Sequence, residues 1–131
     1  MEKINNTNPF TEYKKQLNEQ EQKRQGFDEY FSALSKEFYP YLKTLFDKKT
    51  AHDYRFVIDM LGYYLSRHTQ IEKLEEVKKS MIDKVFIKWF NINSTYYTID
   101  KKLNKKILGL FFNFLKSKKS IVNEEALRFL K

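Results

Sequence analysis

Along most of this chain apolar residues return every three or four positions, the period of an amphipathic helix and not the alternation of a strand. Phe27, Tyr30, Phe31, Leu34, Phe38, Tyr41, Leu42 and Leu45 make the strongest stripe. Pro40 lies inside it, where the ring clash one turn back should bend the helix. Ahead of this stripe, Asn8-Pro9 reads as an N-cap and a first helical position. Phe10, Tyr13 and Leu17 then share one face, but NEQEQKRQ has no apolar side. Residues 1–26 are therefore expected to form a polar helix or arm, weakly docked and ended by Gly26.

Thr50, with Asp53 three residues on, predicts the start of the next helix. Its main stripe is Tyr54, Val57, Ile58, Leu61, Tyr64 and Leu65, and a second stripe, Phe56, Met60 and Tyr63, lies across from it. A helix apolar on two sides is either central in a bundle or faces a partner. Thr69 and Glu72 spell a capping box in TQIE and predict a helix to about Ile92, whose end, VFIKWF, is apolar nearly all round. NINSTYYT breaks the pattern as a loop. Thr98 or Asp100 then opens a helix to about Ser117, KKS makes a turn, and Asn123 caps a short last helix with Glu124 and Glu125 in its first turn.

The expectation is an all-α, single-domain bundle of about five helices plus a short C-terminal helix, with residues 27–131 as the bundle. Its core should include Phe31, Leu34, Phe38, Leu61, Leu65, Val85, Trp89, Ile107, Phe111 and Phe114. Composition agrees: with 3 Gly and 2 Pro in 131 residues, turn-rich β folds are disfavoured. The absence of cysteine removes disulfides and thiolate metal sites and points to a cytoplasmic address. MEKINNTNPF lacks the apolar stretch of a signal peptide. ILGLFF, the longest strongly apolar run, is far short of the ~20 residues that a membrane span needs.

Charge changes the picture more than composition does. Residues 1–76 carry 12 Lys/Arg against 13 Asp/Glu, whereas residues 77–131 carry 13 against 4. The bundle's C-terminal half is thus strongly basic, a pattern that points to a polyanionic partner. Lysine outnumbers arginine 21 to 4, a skew that an AT-rich coding bias would also produce. The densest segment is KKLNKKILGLFFNFLKSKK, residues 101–119, with seven lysines and no acid. On a helical wheel, Lys101, Lys102, Lys105, Lys106, Gly109, Asn113 and Lys116 fall within an arc of ~140°. Phe112 lands on that arc too, while Asn104 sits out of place on the apolar side. Lys101–Lys105 and Lys102–Lys106 repel, and cations near a helix N-terminus are unfavourable. An anionic partner would explain that loss of local stability; a merely solvated face is the plain alternative.

Catalytic chemistry finds no footing. His52 and His68 are sixteen residues apart on one predicted helix, ~24 Å by helical rise, and cannot share a metal. No phosphate loop, serine nucleophile motif or zinc signature occurs. The chain is therefore expected to be non-catalytic and to need no cofactor or metal. The leading expectation is a nucleic-acid-binding accessory or regulatory protein, DNA preferred over RNA. Its phosphate contacts would come from Lys84, Lys88, Lys101, Lys102, Lys105, Lys106, Asn113, Lys116, Lys118 and Lys119. Tyr96 and Tyr97 could stack on bases. The alternative is a protein-interaction module or inhibitor acting on an acidic protein or as a homodimer through Phe56, Met60 and Tyr63. The small, cysteine-free, lysine-rich helical style resembles that of accessory proteins of phages and plasmids.

Overall fold

Pro9–Leu45 forms one helix, α1, which runs through Gly26 without a break. The structure is a computed structural model that describes residues 9–93 and 100–131, excepting the side chains of Lys84 and residues 91–93. Gly26 does not end the first helix as its composition suggested. It has no left-handed φ, and the ~1 kcal/mol that glycine costs a helix is small beside the helix-forming residues on either side. Pro40 likewise lies inside α1, which continues five residues past it. Asn8, the expected cap, is outside the described residues.

Asp47, not Thr50, caps the second helix, α2 (Lys48–His68): its carboxylate accepts the Thr50 N–H at 2.7 Å. That hydrogen bond is the main reason the Asp47 carboxyl is held below its ordinary pKa. The capping box in TQIE is not used as a helix start. Thr69 instead closes α2, with both its N–H and its hydroxyl donated to the Leu65 carbonyl. A 3-10 turn, Leu74–Glu76, follows, and then a π-helical stretch, Met81–Phe86, which leads into α3 (Ile87–Asn93). The fourth helix, α4, is Lys101–Lys119, and the last, α5, is Glu124–Phe129, capped as expected by Asn123. Among the described residues there is no strand, and the architecture is all-α. No described helix is long and apolar enough to cross a membrane.

The core forms where α1, α2 and α4 meet. Phe31 and Phe38 of α1 approach Phe111 of α4 at 5.6 and 5.1 Å between ring centroids, and Phe38 and Tyr41 both approach Phe114. The Phe31 ring also lies directly on Gly62 of α2, where a Cβ would come within 2.5 Å of it. On the other side of α2, Phe86 and Phe90 pack against Tyr64 and Phe56. Two expected core residues differ: Val85 is exposed at 43 %, and Trp89 is only partly buried. The π-helical stretch shifts the register ahead of α3, so Phe86 and Ile87 take the inward positions.

Asn123 ties the two ends of the bundle together. Its amide donates to the Leu74 and Val77 carbonyls, each at 2.9 Å, while its oxygen accepts the Ala126 N–H. Glu125 adds a hydrogen bond from the Lys79 N–H at 2.7 Å. The segment after α2 is thereby held by a residue nearly fifty positions downstream and not by a helix of its own.

Before Phe27, α1 stands clear of this core. Phe10, Tyr13 and Leu17 are 63, 57 and 46 % exposed, although they continue the stripe that Phe27 and Phe31 bury.

Candidate nucleic-acid interface

The lysine helix starts where it does because Asp100 accepts the Leu103 N–H at 2.8 Å. It ends at Ser120, which takes the left-handed conformation (φ 57°) while the Ile121 N–H reaches back to the Leu115 carbonyl. Between these caps the apolar side of α4, from Ile107 to Leu115, faces the core, as the wheel requires.

The basic arc is divided into two parts. On one flank each lysine has an intramolecular partner. Lys101 pairs with Asp83 at 3.3 Å, Lys119 pairs with Glu37 at 2.8 Å, and the Lys105 ammonium lies 4.4 Å from the centre of the Phe129 ring. These contacts offset the repulsion and the unfavourable helix-end placement inferred from sequence. The other part, Lys102, Lys106, Asn113 and Lys116, falls within ~80° along ~21 Å of helix. Its three lysines are exposed and have no acid partner among the described residues. Lys106 has only a long cation–π approach, 5.9 Å, to Phe46.

Several expected members of the site fall elsewhere. Gly109 is not open to a ligand backbone, because the Leu130 carbonyl of the same chain would meet a Cβ there at 3.5 Å. Phe112 is buried at 1 % exposure against Phe111 and not displayed on the basic arc. Gly109 is closed because Leu130, at the end of α5, folds back over that flank of α4. Asn113 is exposed, but its amide donates to the Gly109 carbonyl at 2.8 Å. Lys118 is exposed on the opposite side of the helix, ~160° from Lys102. Lys88 is exposed on α3. The Lys84 side chain, Tyr96 and Tyr97 lie outside the described residues.

The second expected surface is also partly closed. Phe56 packs against Phe90 and Met60 is half-buried on the core, so α3 covers much of that stripe. Tyr63 stays 52 % exposed, stacked on Trp89 at 6.1 Å with the Arg67 guanidinium on its ring.

Asn104 is the residue whose importance the sequence hid. It is fully buried, and neither its Oδ1 nor its Nδ2 has a hydrogen-bond partner among the described residues. The available signal was its spacing, three and four residues before Ile107 and Leu108. No group of three or more metal-ligating side chains occurs among the described residues. Comparisons with protein-family models, with curated proteins and with solved structures find no match for this chain.

Proposed function

We propose that this protein is a non-catalytic nucleic-acid-binding accessory or regulatory factor, of the kind phages and plasmids carry in the cytoplasm. Lys102, Lys106 and Lys116 contact phosphates along one strand, and Lys88 extends the footprint. The observation that carries this reading is the division of the basic arc. Lys101, Lys105 and Lys119 have internal partners, whereas Lys102, Lys106 and Lys116 have no acid partner among the described residues and still share a helix with no acid. Lysine supplies salt-dependent affinity with little base selectivity, so binding is largely independent of sequence.

A salt titration of binding to duplex DNA, single-stranded DNA and RNA is the test. Four lysine–phosphate contacts give a log–log slope of about −3.6 on duplex DNA. Replacing Lys102, Lys106 and Lys116 by Gln should remove most binding and flatten that slope, with an unchanged circular dichroism spectrum. Undiminished binding by this variant would leave the lysines as a solvated face. The exposed stripe Phe10, Tyr13 and Leu17 favours a second reading, a protein-interaction module. That reading expects no nucleic-acid binding near physiological salt and association through residues 9–24.

A further inference from the structure

Where the arm leaves the bundle, α1 and the end of α2 bound a half-open cleft of about 560 Å³, within the size range of small-molecule sites. Its charged lining is one-sided. Lys23, Arg24, Arg67 and His68 face it, with Glu72 as the only acid. Two of the chain's four arginines are here, in a protein with 21 lysines. Arg67 has a simple structural explanation, because a cation in the last turn offsets the dipole of α2. That explanation does not reach Lys23 and Arg24, which arrive from another helix.

Arg24 adds a second observation. Its Nη1 meets Glu21 at 3.1 Å, but its Nε is buried with no partner among the described residues. A buried guanidinium donor left open is costly unless something else accepts from it. The acids that do pair with these cations, Glu21, Asp28 and Glu72, hold them at 3.1 to 3.9 Å on open surface. Such exposed pairs are weak and readily exchanged for a phosphate, which takes two donors of one guanidinium at once. Phe27 and Ile71 give the cleft an apolar wall, and the rim carries His68 at 5.7 Å from Trp89.

We infer that this cleft binds a nucleotide, with the phosphate held between Arg24 and Arg67 and the base against the apolar wall and the His68 edge. The site is distinct from the lysine stripe and does not depend on it. The nucleotide is either free or the end of a single strand.

Trp89 is the only tryptophan, and its contact with His68 makes its emission a direct reporter. The full chain would be titrated with AMP, with inorganic phosphate, and with single-stranded oligonucleotides bearing a 5′-phosphate or a 5′-hydroxyl. Isothermal calorimetry would run in parallel. A saturable change with AMP assigns the free nucleotide; saturation only with the 5′-phosphorylated strand assigns the strand end. Replacing both Arg24 and Arg67 by Lys keeps the charge and loses the fork, and should weaken binding about tenfold. Asp28→Asn, which frees Arg67 of its 3.4 Å partner, should tighten it. The Gln variants of Lys102, Lys106 and Lys116 should bind AMP as the wild type does, so a failure of the lysine stripe reads out separately. Inorganic phosphate binding as tightly as AMP overturns the nucleotide assignment. No saturable signal by either method up to ~10 mM ligand overturns the site, as does binding unchanged in the double Lys variant.

Discussion

Two buried asparagines show how one side chain can act in opposite directions. Asn123 uses its whole amide: its donors meet the Leu74 carbonyl in the 3-10 turn and the Val77 carbonyl just past it, and its acceptor caps α5. Asn123→Ala should cost about 2–4 kcal/mol, adding a lost cap to two buried carbonyls left without donors. Urea denaturation would show this as a lower midpoint. Asn104 uses neither end of its amide among the described residues. Asn104→Leu, nearly equal in shape, should raise stability by about 1–2 kcal/mol, because it removes two unsatisfied polar atoms from the core. A lower midpoint for this variant would instead show that an ordered water meets the amide. The wheel already puts Asn104 on the apolar side, but that its amide is left unmatched there comes from the fold. Asn123 could be read as a cap from the acids that follow it, but its partners at Leu74 and Val77 are brought in by the fold alone.

At the scale of elements, periodicity identified which residues face inward better than it identified where helices begin and end. Phe31, Phe38, Phe111 and Phe114 are core because their spacing carries through any reasonable choice of ends. Boundaries failed where a local signal had a second use. Thr69 fits an N-cap, yet its hydroxyl serves the preceding helix. Gly26 fits a stop, yet nothing requires it to turn. The lysine arc was legible as a pattern, but its division was not, since only α5 and the distant Asp83 and Glu37 decide which lysines are taken up. Two glycines test this account with opposite signs. Gly26 has nothing within 4 Å of a built Cβ, so Gly26→Ala should stabilise α1 by roughly 0.5–1 kcal/mol. Gly62 has Phe31 against it, and Gly62→Ala should destabilise by about 1–3 kcal/mol through overpacking. Paired thermal melts of the two variants would check both directions.

On the scale of the whole molecule, the unbroken α1 controls how the protein fills space in solution. Thirty-seven helical residues span ~55 Å, whereas a compact sphere with the ~14 Å radius of gyration expected for this length is only about 36 Å across. The particle is therefore better described as a knob on a rod than as a sphere. Small-angle X-ray scattering should give a pair-distance distribution with a long tail reaching at least ~55 Å. A symmetric distribution closing well short of that would mean the rod is folded back or frayed. An anisotropic body of this kind tumbles slowly about its short axes, so amide relaxation rates should depend on bond direction: those in α1, α2 and α4 would sort by their angle to the rod. The long α1 thus acts as the principal axis of the diffusion tensor.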